Sequence, residues 1–276
     1  LRAPLDHEES TMPAELKEPS GVRRPIEDRV YLDVAPELVW RALTVADELV
    51  RWFPLAATVE PGVGGTIALS WGSQGSEKAV IEIWEPNRRL RTVQHRRDST
   101  GRLVEIAIDF LIEGERGRTV LRVVHAGFGV GAEWDEEYDG TVRGWRYELR
   151  GLRHYLSRHV GVDRRVAQVD AATSLSPEET YARIMGTEGL GAATALTGLR
   201  EGDGYKISGA AGLFEGSVLI NSPPLDFGGT VNNLNDALLR YELYGGRAKL
   251  WVATWGVEDS RIGDLKRELN AIVRLL

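Results

Sequence analysis

Between residues 133 and 158, apolar side chains return every three or four positions: Trp134, Tyr138, Val142, Trp145, Leu149, Leu152 and Leu156. This spacing predicts one long helix with a single apolar stripe. Glu133, Asp135, Glu136 and Glu137 crowd its start and Arg150, Arg153 and Arg158 its end, the polarity a helix dipole favours. Gly140 and Gly144 each cost about 1 kcal/mol relative to alanine inside a helix, so they imply a close backbone approach or a bend over a cavity. A helix with one apolar side must lie on a second layer.

That layer precedes it. Val104, Ile106, Ile108, Phe110 and Ile112 alternate with Glu105, Ala107, Asp109 and Leu111, which puts one apolar row on the core side of a strand and fixes its register. Further strands are predicted over residues 26–34, 66–71, 78–84, 90–97 and 119–126, divided by turn-rich pieces at residues 62–65, 85–87 and 113–117. After the first of them, Pro36 at a first helical position and Leu38, Val39, Ala42 and Leu43 mark a short helix. Leu49, Trp52 and Phe53 suit a further helical turn.

A second unit repeats this order. A strand over residues 166–173 leads to a helix from Ser176 to Ile184. Laid over the first unit, Pro36 and Glu37 meet Pro177 and Glu178, Trp40 meets Tyr181, and Leu43 meets Ile184, a weak internal repeat. Strands are predicted over residues 205–209, 214–221, 237–244 and 249–255, and Ile262, Leu265, Leu269, Ile272 and Leu276 define a closing helix. The region 186–204 is glycine-rich where a helix and strand would be expected. Residues 1–25, with Glu8, Glu9, Glu15, Glu18, Pro4, Pro13 and Pro19 and hardly any aliphatic periodicity, read as a flexible arm, with Met12 a candidate start. The organisation expected is this arm, a first domain over residues 26–160 and a divergent second domain over 165–276, which suits a length of 276 residues.

The run Val34-Ala-Pro-Glu-Leu-Val-Trp-Arg-Ala-Leu-Thr44, the run Arg51-Trp-Phe-Pro54 and the pair Gly144-Trp145 resemble the SRPBCC (START/Bet v 1-like) superfamily. Within it they are similar to the branch labelled activator of Hsp90 ATPase homologue 1-like. The resemblance covers residues 26–158 and implies an α+β fold of two helix-grip domains, each a curved antiparallel sheet wrapped around a long C-terminal helix. Such domains enclose hydrophobic molecules. Relatives include polyketide aromatase/cyclases, some built from two such domains, and self-sacrifice resistance proteins that sequester enediyne antibiotics and are cleaved by them. The label also suggests co-chaperone action on Hsp90, although the eukaryotic activators carry an additional domain with no counterpart in these residues.

Composition narrows the partners. A net charge of −7 disfavours nucleic acid and anionic membrane surfaces. No apolar run approaches the ~18 residues of a membrane span. With no cysteine, thiolate nucleophiles, disulfides and Cys-ligated metals are excluded, and with no signal-like segment the cytoplasm is the expected compartment. Oligomeric state is not legible.

Catalytic groups are sparse. His95 and His125 lie on strands facing a cavity or packed beside it, while His7, His154 and His159 sit in the arm or near a helix end. No metal-ligand spacing of recognised form occurs, so neither metal nor cofactor is expected. Gly127, Phe128, Gly129, Val130 and Gly131 fit no phosphate-loop pattern, and acidic residues follow them; they read as a mobile lip with Phe128 as a gate. No G-x-S-x-G elbow is present. Arg88, Arg89, Arg91, Arg96, Arg97 and Arg102 gather around one hairpin and read mainly as a solvated face.

Aromatic residues are the informative set, with 8 tryptophans. Trp40, Trp52, Phe53, Trp71, Trp84, Phe110, Phe128, Trp134, Tyr138 and Trp145 all fall on elements expected to line or cap a cavity, some of them as plain core. The candidate ligand-binding residues are Trp52, Phe53, Trp71, Ile83, His95, Phe110, Phe128, Trp134, Tyr138 and Trp145. The expected function is binding or sequestration of a hydrophobic, aromatic small molecule. An aromatase/cyclase is the enzymatic alternative.

Overall fold

The computed structural model describes residues 23–115, 118–191, 196, 198–209 and 212–276. Its first half runs β1 (Ile26–Leu32), α1 (Pro36–Thr44), α2 (Ala46–Leu49), β2 (Ala56–Val59), β3 (Thr66–Ser70), β4 (Ser76–Glu85), β5 (Arg89–Arg97), β6 (Leu103–Glu115), β7 (Arg118–Ala126) and α3 (Ala132–Arg158). The second half runs β8 (Arg164–Ala172), α4 (Pro177–Met185), β9 (Gly204–Gly209), β10 (Gly212–Ser222), β11 (Asp226–Val231), β12 (Ala237–Tyr244), β13 (Arg247–Trp255) and α5 (Asp259–Val273). The sheets are ordered β1-β7-β6-β5-β4-β3-β2 and β8-β13-β12-β11-β10-β9. In each, the first strand pairs antiparallel with the last, so an antiparallel meander returns beside its own start. One plan is used twice, the second time with one strand fewer. This is the tandem α+β helix-grip architecture.

Local chemistry explains the repeat. Both α1 and α4 begin with proline, which needs no N–H partner at a helix start. Helix α4 adds a capping box, in which Ser176 and Glu179 satisfy each other's backbone N–H groups.

The two units are not separate bowls. On β12 and β13, Leu239, Tyr241, Leu243, Leu250 and Val252 are buried in one core with Ile184 of α4 and Leu265, Leu269 and Ile272 of α5. The alternate residues Leu238, Ala253 and Trp255 belong to the other core, with Leu149, Leu152 and Tyr155 of α3. Helix α3 therefore has the first sheet on one side and the second sheet on the other.

Small residues make that approach possible. A Cβ on Gly140 would lie 2.7 Å from the ring of Tyr244, and one on Gly228 would lie 2.8 Å from the ring of Tyr147. Arg143 of α3 meets the buried Asp226 of β11 at 2.5 Å. At the far end of α3, the second unit clasps the loop after α2. Arg164 donates to the carbonyls of Trp52 at 2.7 Å and Phe53 at 3.0 Å, and to that of Pro54. Trp255 donates its indole N–H to the Arg51 carbonyl at 3.0 Å, and Arg51 meets Asp163 at 2.9 Å.

Most of the predicted arm, residues 1–22, lies outside the described residues. Arg23, also assigned to the arm, is tied down: its N–H donates to the Phe128 carbonyl at 2.8 Å and its guanidinium meets Asp135 and lies 4.9 Å from the Tyr138 ring centre. No described helix is long and apolar enough to cross a membrane.

Candidate functional site

A cavity of about 360 Å³ lies between the first sheet, α3 and the second sheet. Its first wall is aromatic and aliphatic: Trp52 and Phe53 from the loop after α2, Ile67 and Leu69 from β3, Trp71 after it, Leu90 from β5, and Ile108 and Phe110 from β6. Helix α3 contributes Gly144, Trp145, Tyr147, Glu148 and Gly151. A Cβ on Gly144 would meet nothing within 4 Å, so this glycine opens space. The other wall is Val166 and Gln168 of β8, Leu238, Arg240 and Glu242 of β12, and Lys249, Trp251, Ala253 and Trp255 of β13.

The rings hold one another in place. Trp52 stacks on Phe53 with centroids 5.0 Å apart, and Phe53 meets Trp71 edge-on at 5.4 Å and Trp145 at 6.0 Å. Phe110 meets Trp145 edge-on at 5.7 Å. Such tilted and edge contacts are favourable.

Polarity changes along the second wall. Leu238, Ala253 and Val166 form one cross-strand row; Arg240, Trp251 and Gln168 form the next; Glu242 and Lys249 the third. The wall thus passes from apolar to charged over four residues of strand. A second cavity of about 420 Å³ shares Glu77, Thr92, His125, Thr141, Glu242 and Lys249 with the first and adds Gln94, Arg96, Glu137 and Tyr244. Glu77 is exposed there. The two cavities adjoin through these shared residues, and the second is the more polar.

Buried charge shapes the middle row. Arg240 is only 3% exposed and meets Asp226 at 3.1 Å, Glu242 at 3.0 Å and Glu148 at 3.3 Å, with its guanidinium 4.4 Å from the Tyr147 ring centre and 4.8 Å from that of Trp251. Burial opposes its charge, but Asp226, Glu242 and Glu148 outweigh it and hold the guanidinium above its ordinary pKa. Burial raises Glu148 to about 7 despite Arg240 and Arg164. Burial lowers Arg164 to about 10. The site therefore contains a carboxyl that titrates near neutrality, an arrangement able to accept or donate a hydrogen bond to a guest.

Residues 33–157 match the family model described as Activator of Hsp90 ATPase homolog 1-like protein. The first unit is an AHSA1-like domain of the SRPBCC superfamily. No curated protein matches the chain. Among solved structures, the chain is similar to DynU16, a protein of the dynemicin biosynthetic locus, at 16% identity and TM-score 0.43 over 92% of this chain and 97% of that one. It is also similar to BexL, a di-domain ARO/CYC from the BE-7585A biosynthetic pathway, at 12% identity and TM-score 0.44 over 91% and 98%. The Aha1 dimer from Colwellia psychrerythraea is similar at 21% identity and TM-score 0.43 over 50% of this chain and 98% of that one.

Within the AHSA1-like domain, the cavity brings together Trp52, Phe53, Trp71, Phe110 and Trp145 of the residues singled out from sequence. The other five lie elsewhere. A register shift between Ile81 and Ile83 sets Ile83 opposite Arg91, on the outer face, while Ile81 stays buried. His95 shares that outer face, 54% exposed and 3.6 Å from Glu105, because Leu90, Thr92 and Gln94 take the inward positions of β5. Phe128 is 1% exposed and packs edge-on against Trp134 and Tyr138, so it is a core residue under the start of α3 and not a gate. Trp134 is buried between Phe128 and the Arg96 guanidinium. Tyr138 lines a separate shallow pocket with Arg24 and Pro25.

Trp40 and Trp84 pair edge-on at 4.9 Å in the core. The arginine hairpin is largely ion-paired: Arg89 and Arg91 with Asp109, Arg96 with Glu137, and Arg102 with Asp98. Leu238, Arg240, Trp251 and Trp255 were not selected from sequence, nor were Glu148 and Arg164. Alternation reveals that β12 and β13 have two faces, but only docking shows that both are covered.

Proposed function

We propose that the chain binds and sequesters a hydrophobic, polycyclic aromatic small molecule in the cavity between its two units. The observation that carries this reading is the composition of the walls. Six aromatic side chains of the AHSA1-like domain, Trp52, Phe53, Trp71, Phe110, Trp145 and Tyr147, line this cavity of about 360 Å³ together with Trp251 and Trp255 of the second unit, a volume within the usual range for small-molecule sites. Removing about 300 Å² of guest apolar surface from water contributes roughly 7 kcal/mol before association costs, enough for micromolar binding without a covalent step. The family resemblance suggests a natural product of polyketide or enediyne type, held for self-protection or during biosynthesis.

The test is quenching of tryptophan fluorescence on titration with a tetracyclic anthraquinone. Saturable quenching with a micromolar Kd is expected, and Trp145→Ala weakens it about tenfold or more by removing a central ring. Absence of saturable quenching, or an unchanged affinity in the variant, would remove the cavity from consideration.

A further inference from the structure

The second unit has a place in this site that sequence repetition alone does not give it. Its inner core is filled by its own helices, whereas its opposite face, the row through Arg240 and Trp251, lines the cavity. We propose that this face is the selectivity wall: it admits polycyclic guests bearing uncharged hydroxyl groups and rejects carboxylates of equal apolar area. The proposal rests on the cavity being the guest site.

Charge along the wall argues for it. Three of the four Arg and Lys side chains among the described lining residues are paired with carboxylates, and the fourth, Arg164, is held through its terminal nitrogens alone. Arg240 is divided among Asp226, Glu148 and Glu242, and Lys249 meets Glu242 at 3.4 Å. Arg96 is held by Glu137 at 2.6 Å, and Arg164 spends its terminal nitrogens on the backbone carbonyls of the Trp52 loop. A guest carboxylate would lose its water and find Arg240, Lys249 and Arg96 already paired with carboxylates, leaving only the Nε–H of Arg164 without a partner, so the cost is recovered in part at most. Glu148 also lies in the way. It receives a hydrogen bond from Arg240, while a carboxylate has room for about four donors. A guest hydroxyl can donate to it; a guest anion is repelled by it. Trp251, beside Arg240 on the next strand, supplies the flat surface that sets the ring system at this depth.

The experiment uses the whole chain and two probes of matched ring system, 9-anthracenemethanol and anthracene-9-carboxylate, titrated at pH 8 where Glu148 is ionised. The alcohol is expected to bind about tenfold or more tightly than the carboxylate, the scale of one charged hydrogen bond. Glu148→Gln removes the repelling charge, so the carboxylate should gain affinity, a result that a damaged fold cannot mimic. Trp251→Ala should weaken the alcohol at least severalfold. Equal binding of the two probes, no gain by the carboxylate in Glu148→Gln, or an indifferent Trp251→Ala each overturns the selectivity wall while leaving the cavity as the guest site. If neither probe binds, the cavity reading fails and this proposal with it.

Discussion

The indole Nε1–H of Trp145 donates to Nδ1 of His125 across 3.1 Å. An indole can only donate, so Nδ1 is the acceptor and the neutral imidazole carries its proton on Nε2. Burial, assisted by the charge of Arg96, lowers His125 to about 4, so the ring is neutral at pH 7. Nitrogen NMR should report a single tautomer protonated at Nε2. In Trp145→Phe, which keeps a ring against Phe53 and Phe110 but removes the donor, a mixture of tautomers is expected; an unchanged spectrum would show that the indole does not set the proton.

Stability should respond to pH through two groups of opposite sign. The Glu148 carboxyl is raised from 4.5 to about 7, so the folded state holds its proton longer than the unfolded state does. Its contribution is fully present below 4.5 and is lost as pH rises to 7. His125 is lowered from 6.5 to about 4, so its contribution is present above 6.5 and lost as pH falls towards 4. Each effect is on the order of 1–3 kcal/mol. Urea unfolding between pH 4 and 8 should show Glu148→Gln gaining on the wild type as pH rises and His125→Gln gaining as pH falls.

Two glycines one turn apart in α3 should behave in opposite ways. Gly140→Ala places a methyl group 2.7 Å from the Tyr244 ring and should cost about 1–3 kcal/mol through overpacking between the units. Gly144→Ala points a methyl group into open space and should gain up to about 1 kcal/mol from helix propensity. Thermal unfolding decides both. A stabilised Gly140→Ala would mean that the helix and Tyr244 are farther apart than described.

Trp255 joins the units at the Trp52 loop, where it is 1% exposed, donates to the Arg51 carbonyl and stacks on His159 at 4.4 Å. Trp255→Ala should cost about 3–5 kcal/mol, as expected for truncating a buried tryptophan. Because the same loop carries Trp52 and Phe53 into the cavity, guest affinity should fall with it. A loss of stability with full retention of affinity would separate the clasp from the site.

Much of the fold was legible because its cores repeat at fixed periods: the β6 row ending in Ile112 and the α3 stripe through Leu149 and Leu152 announced a sheet and its helix. Strand β11 was not legible. Its Gly228 and Gly229 carry no side chains because the rings of Tyr147 and Tyr205 occupy that space, so the strand gives no alternation signal. Strand β2 is four residues long and nowhere fully buried, which leaves no apolar row to detect. At the site, a single register shift was enough to turn Ile83 outward, and parity turned His95 outward with it. The second wall was hidden for a deeper reason. Arg240 and Glu242 look like the wet side of a sheet until another unit covers them, and coverage is a property of the assembled chain.

Helix α3 is flanked by sheets from both units, and this binds their fates together. Cut free after its long helix, the first unit would present Tyr147 and its neighbours to water; the second would present Leu238, Trp251 and Trp255. Unfolding should therefore be one cooperative event, not two. A chain that repeats one plan has given up the independence of its copies, and neither half can be exchanged for a related one without recutting the helix that both now share.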